Sequence, residues 1–142
     1  MGATADPAAD LSAVAKLGFK HGQVVQELGY DDEVDDDFRG AVEAAVGSEL
    51  LDEDADEVAD VVICWFRDGE GDLVEALMDS VTNLAKGGIV WLLTPKKGRA
   101  GHVPADEIEE AAPAAGLHAT TSVSASADWA GTRMTTPRGP RR

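Results

Sequence analysis

Cysteine is almost missing from this chain: Cys64 is the single one in 142 residues, so no internal disulfide can form, and a reducing compartment suits the composition. It lies inside the apolar run Val61-Val62-Ile63-Cys64-Trp65-Phe66. With nothing nearby to stabilise a thiolate, a buried structural thiol is expected there. Aromatic residues are few, three Trp, three Phe and one Tyr. The core must therefore come from Val, Leu, Ile and Ala, which suits strands covered by helices and disfavours an all-β sandwich. No apolar run approaches the roughly 18 residues that span a bilayer. The first ten residues carry acids where a signal peptide needs a basic start and an apolar core, so a cytoplasmic protein is expected. Catalytic signatures are missing as well. There is no Walker spacing for a phosphate loop and no Gly-x-Ser-x-Gly elbow for a serine nucleophile. His21, His102 and His118 stand far apart without the spacing of zinc ligands, so neither a catalytic residue nor a metal site is expected.

Basic residues are also scarce, 12 Lys and Arg against 27 Asp and Glu, for a net charge of -15. The imbalance is concentrated: residues 1–80 hold 22 acids and 4 bases, whereas residues 81–142 hold 5 acids and 8 bases. Such a field repels nucleic acid and anionic lipid within a Debye length of roughly 8–10 Å, which excludes direct nucleic-acid or membrane binding. It attracts a protein with a basic surface; the plainer alternative is that net charge keeps the protein in solution. Two acidic stretches are the candidate partner-binding residues: Asp31, Asp32, Glu33, Asp35, Asp36 and Asp37 in the first, Asp52, Glu53 and Asp54 opening the second, which runs to Asp60. A helix dipole and an N-cap account for two or three acids of the first stretch, not for six. A calcium loop needs alternating oxygen ligands and a glycine at its sharp turn, and Gly40 comes too late.

Along the chain, residues 1–9 read as a flexible tail, 10–136 as a single domain and 137–142 as a short basic tail. Asp10 is placed to cap a short helix ended by Gly18, and residues 23–28 form a plausible first strand. Phe38, Val42, Ala45 and Val46 make one helical stripe stopped by Gly47. Residues 49–51 read as a short edge strand. The continuous apolar runs 58–66 and 89–93 read as strands of a parallel sheet buried on both faces. Between them Asp72-x-x-Glu75 has the pattern of a capping box, with Leu73, Leu77, Val81 and Leu84 as the apolar stripe and Gly87 as its stop. Pro104 opens a further helix that Pro113 kinks or ends, and residues 118–123 and 129–136 form an antiparallel hairpin.

This order resembles an abridged class I methyltransferase, the Rossmann-like fold that binds S-adenosylmethionine. The likeness rests on Leu17-Gly18-Phe19-Lys20 through Val25 as the run-in to that family's first strand, on Ala59 to Leu93 with Lys86-Gly87-Gly88, and on the terminal hairpin. The chain is also similar to a family of small acidic actinobacterial proteins classed as a domain of unknown function. The resemblance implies an α/β fold, a mostly parallel sheet with a C-terminal antiparallel hairpin. It also implies a cofactor cleft at Gly29 and Asp31, with Asp52 as the ribose acid and Trp65 and Thr94 at later strand ends. The sequence departs from the family at the turn after the first strand: of its glycines only Gly29 remains, and Asp31 and Glu33 stand where others are expected. Lys96, Lys97 and Arg99, with Gly98 and Gly101, form the one basic glycine-containing loop and a conceivable anion site, although Asp106 and Glu107 offset the next helix's dipole. The expectation is thus a non-enzymatic regulatory or adaptor protein, a pseudoenzyme with no cofactor, whose acidic face meets a basic protein. The alternative is a small S-adenosylmethionine- or nucleotide-binding transferase or ligand sensor.

Overall fold

Two stretches, 61–66 and 90–95, are buried without interruption, and they lie side by side as central strands. The computed structural model describes Val14 and residues 17–136, so both tails and most of the helix expected from Asp10 lie outside the described residues. The element order is β1 (Val25–Leu28), α1 (Asp36–Val46), β2 (Ala59–Trp65), α2 (Leu73–Val81), β3 (Leu84–Pro95), α3 (Ala105–Ala114), β4 (His118–Ser124) and β5 (Trp129–Thr135). Among the described residues these strands form one five-stranded sheet in the order β1-β2-β3-β5-β4. The first three are parallel, and β5 returns antiparallel to β3 and β4. This is the single α/β domain with a terminal hairpin that the apolar runs predict.

Alternation along the strands sends side chains to two cores. Val61, Ile63, Trp65, Trp91 and Leu93 meet Phe38, Val42 and Val46 of α1 on one face. Val62, Cys64, Val90 and Leu92 meet Leu77 of α2 and Ile108 and Ala112 of α3 on the other. A parallel strand needs apolar residues at successive positions because helices cover both sides of it.

Asp35 caps α1, its Oδ1 accepting from the Phe38 backbone N–H at 2.9 Å, and Gly47 closes the helix in the left-handed region at φ 87°. Three expectations need correction. Asp72 does occupy the N-cap position of α2, yet its side chain makes no capping hydrogen bond. The helix stops at Val81, and Leu84 opens β3 opposite Ala59; the Asn83 carbonyl accepts from the Ala59 N–H at 2.8 Å, and the register shifts before Val61 pairs with Ile89. The edge strand at 49–51 shrinks to one parallel bridge, Gln26 with Leu51. Pro113 lies in the last turn of α3, one residue before its end. No helix among the described residues is long and apolar enough to cross a membrane.

Candidate functional site

Glu27 points from β1 into the core and is only 5% exposed. A carboxylate there is tolerable only if its oxygens are filled by donors. Arg39 of α1 grips it with two nitrogens, Nε to Oε2 at 2.6 Å and Nη2 to Oε1 at 2.9 Å, and Trp65 Nε1–H donates to Oε2 at 2.8 Å. Arg39 also pairs with Asp36 at 3.3 Å and lies over the Tyr30 ring, 4.5 Å from its centroid. The bond to Glu27 raises the Arg39 pKa above its ordinary value. Trp65 stands edge-on to Phe38 and to Trp129, at 5.9 and 4.8 Å between centroids. Its ring is therefore a core element, and only the strand end that carries it reaches the neighbouring cavity.

The first acidic stretch is largely spent inside the molecule. Arg67, just beyond β2, bonds Asp31, pairs with Glu33 at 3.1 Å and donates from Nε to Glu70 Oε2 at 3.0 Å. Burial pulls its pKa down, but the bonds from Asp31 and Glu70 more than offset this and leave it raised. Asp31 Oδ1 also accepts from the Glu33 N–H at 2.9 Å. With Asp35 on the cap and Asp36 on Arg39, only Asp32 and Asp37 of the six acids make no ion pair or cap among the described residues. Asp31 and Glu33, candidate partner-binding residues in the sequence, are held by Arg67 instead.

A cavity of about 510 Å³ opens at the carboxyl ends of β1 and β2, between α2 and the connector that carries Glu53. Leu28, Cys64 and Phe66 contribute apolar surface, and Glu53, Glu70, Asp72, Glu75 and Asp79 contribute carboxylates, with no Lys, Arg or His in its lining. Gly29 forms its inner edge in the left-handed region at φ 78°. A Cβ there would come within 2.3 Å of the Trp65 carbonyl oxygen, so the close approach of the two strand ends requires glycine. Asp52 turns its carboxylate onto its own turn, accepting from the Asp54 N–H at 3.0 Å, and is not among the cavity's lining residues; Glu53 is, and accepts from the Gly29 N–H at 3.3 Å. Cys64 is 2% exposed, and burial pushes its thiol up from 9.0 to about 11, so it is no nucleophile near neutral pH. The charge of this lining favours cationic groups and repels phosphate. Glu27, Arg39 and the α2 carboxylates were missed as site residues in the sequence. The signals were present, an acid within an apolar strand and acids three and four positions apart on one helix.

The remaining expected site residues lie elsewhere. Thr94 is 2% exposed and lines a separate cavity of about 170 Å³ with His102 and Thr132, between α3 and the hairpin. It does not join Gly29. Of the basic loop, Arg99 is paired with Asp128 at 2.6 Å, and the Lys96 N–H donates to the Asp128 carbonyl at 2.9 Å, which ties that loop to the β4–β5 turn. Lys96 and Lys97 make no ion pair among the described residues. No group of three or more His, Cys, Asp or Glu among them is placed to hold a metal ion.

Solved structures similar to this one include SAM-dependent methyltransferases. The pyocyanin biosynthetic protein PhzM superposes with a TM-score of 0.65 at 12% identity, covering 91% of this chain and 54% of that one, so the chain spans about half of PhzM. A SAM-dependent methyltransferase from Aquifex aeolicus matches with a TM-score of 0.59 at 12% identity, over 94% of this chain and all of that one. At such identities the likeness concerns the fold, which is Rossmann-like and methyltransferase-like. Closer in sequence are the uncharacterized proteins Rv2239c of Mycobacterium tuberculosis and Mb2263c of Mycobacterium bovis, each 53% identical over 123 residues, 87% of this chain and 77% of theirs. A family model matches residues 14–138, and the chain belongs to that family, described as Protein of unknown function (DUF3052).

Proposed function

We propose that this is a non-enzymatic binding protein on a methyltransferase-like sheet, a pseudoenzyme that recognises a basic surface of another protein. The observation that carries the reading is the cavity at the carboxyl ends of β1 and β2, where ligands of open α/β sheets bind, lined by five carboxylates and no cation. Asp32, Asp37, Asp52 and Asp54 are exposed and keep the outer surface acidic, while Asp31, Glu33, Asp35 and Asp36 serve the fold. A sole cysteine kept as a buried thiol supports a cytoplasmic setting. The test is charge reversal, Asp32→Lys, Asp37→Lys, Glu53→Lys, Glu75→Lys and Asp79→Lys together, followed by co-purification from the native cell. Loss of the specific partners is expected. Partners retained at full yield overturn the reading.

A second reading, a small cofactor-like ligand in the same cavity, is supported by the left-handed turn at Gly29 packed against the Trp65 carbonyl. Five carboxylates disfavour a nucleotide's phosphates and tolerate a sulfonium cation. Titration calorimetry with S-adenosylmethionine, its demethylated product and ATP separates the two readings. We expect no heat from any of the three; saturable binding of S-adenosylmethionine would favour the second.

A further inference from the structure

The acid-lined cavity runs alongside α2. One long wall is the free face of α2 and the residues that follow it, on which Asp72, Glu75, Ala76, Asp79 and Asn83 fall at helical spacing. Along α2, Leu73–Val81, that wall runs about 13 Å at 1.5 Å per residue. The opposite wall is the connector carrying Glu53, held down where Gln26 Nε2 donates to the carbonyls of Asp52 and Ala55 at 3.1 and 3.2 Å. The floor is Leu28 and Cys64 of β1 and β2. These strands are parallel, and parallel strands are covered by helices on both faces. On the α1 side β1 has that cover; on the α2 side Gln26 is buried beneath the connector, and half-buried Leu28 faces the slot.

We infer that this slot docks a basic amphipathic α-helix of a partner protein, lying alongside α2. The inference rests on the binding reading above and deepens it. Half-buried Leu28 and the small, half-buried Ala76 receive the apolar stripe of the incoming helix, Ala76 allowing close approach. Asp72, Glu75 and Asp79 on one rim and Glu53 on the other meet Lys or Arg side chains flanking that stripe. A second copy of this chain is a poor occupant, since each copy carries a net charge of -15.

The probe is a synthetic 14-residue Lys/Leu peptide patterned as an amphipathic helix, compared with its diastereomer holding two central D-residues, which has the same charge and cannot form the helix. Titrated into the ¹⁵N-labelled full chain, the helical peptide is expected to shift Leu28, Cys64, Ala76 and the exposed residues of α2, and the diastereomer to bind at least tenfold more weakly. Glu75→Lys with Asp79→Lys is expected to cost at least tenfold in affinity, and Ala76→Phe, which fills the slot without changing charge, a similar factor. Asp32→Lys with Asp37→Lys is expected to cost less than twofold. Circular dichroism establishes that each variant is folded. Equal binding of the diastereomer or of spermine, shifts confined to Asp32 and Asp37, or affinity unaffected by both slot variants would overturn the docking inference. So would a dimer that places the same slot between copies in sedimentation. A peptide that binds through Asp32 and Asp37 alone sinks the slot and leaves the basic-partner reading standing; partners retained by the charge-reversed protein in the cell sink that reading itself.

Discussion

At the scale of single residues, the molecule's most exacting requirement is to keep a carboxylate inside a strand. Glu27 contributes no apolar area, and its cost is offset only because Arg39 and Trp65 together supply three donors. The same bonds set the Trp65 ring between Phe38 and Trp129, so polar pairing and aromatic packing specify one arrangement. Replacing one member should therefore cost more than replacing two. Glu27→Gln removes the charge facing Arg39 and turns an amide donor towards other donors. We expect it to lower the unfolding free energy by about 2–3 kcal/mol. Adding Arg39→Met should return part of that loss, because no guanidinium then faces the neutral amide. Urea denaturation followed by tryptophan fluorescence measures both; strictly additive losses would show that the pair is not coupled.

At the scale of elements, α1 and α2 begin with the same residue type in the same extended conformation, yet only one is capped. Asp35 bonds the Phe38 N–H, while the Asp72 side chain bonds no backbone donor. Asp35→Ala should thus cost about 1 kcal/mol and Asp72→Ala less than about 0.5 kcal/mol by the same denaturation measurement. Equal costs would mean that the Asp72 cap forms in solution. The contrast also explains what was legible beforehand. Continuous apolar runs specify β2 and β3, and the stripe from Phe38 to Val46 with Gly47 specifies α1, because burial on a given face leaves a periodic trace in the chain. Leu84 misleads because Leu73, Leu77, Val81 and Leu84 keep helical spacing although the last of them pairs with Ala59 in the sheet. Long-range pairing overrides local rhythm there. Site residues were harder still. Arg39 and Trp65 lie 12 and 38 positions from Glu27, so no local spacing could announce that they meet. Asp31 and Glu33 looked available because their partner, Arg67, follows a different strand.

At the scale of the whole molecule, a chain of net charge -15 must hold together the ends of three parallel strands while like charges push them apart. Arg67 does most of that stitching. Its guanidinium joins Asp31 and Glu33 beyond β1 to Glu70 beyond β2. Its aliphatic stem packs where a Cβ on Gly101, beyond β3, would come within 2.9 Å, and its charged end lies 5.8 Å from the centre of the Trp129 ring of β5. With 13% of the side chain exposed, these contacts are only partly screened by water. Arg67→Leu keeps much of the stem and leaves three carboxylates facing one another. The turn from Gly29 to Val34 should then open: amide exchange there should speed up at least tenfold, while β3 changes only as far as global stability falls, by about 2–3 kcal/mol. Because the destabilising force is repulsion between partly exposed carboxylates, the loss should shrink as salt rises from about 0.05 to 1 M and the Debye length contracts to about 3 Å. Unchanged exchange in the turn, or a loss indifferent to salt, would mean that packing around Trp129 closes this end of the sheet and the ion pairs merely decorate it.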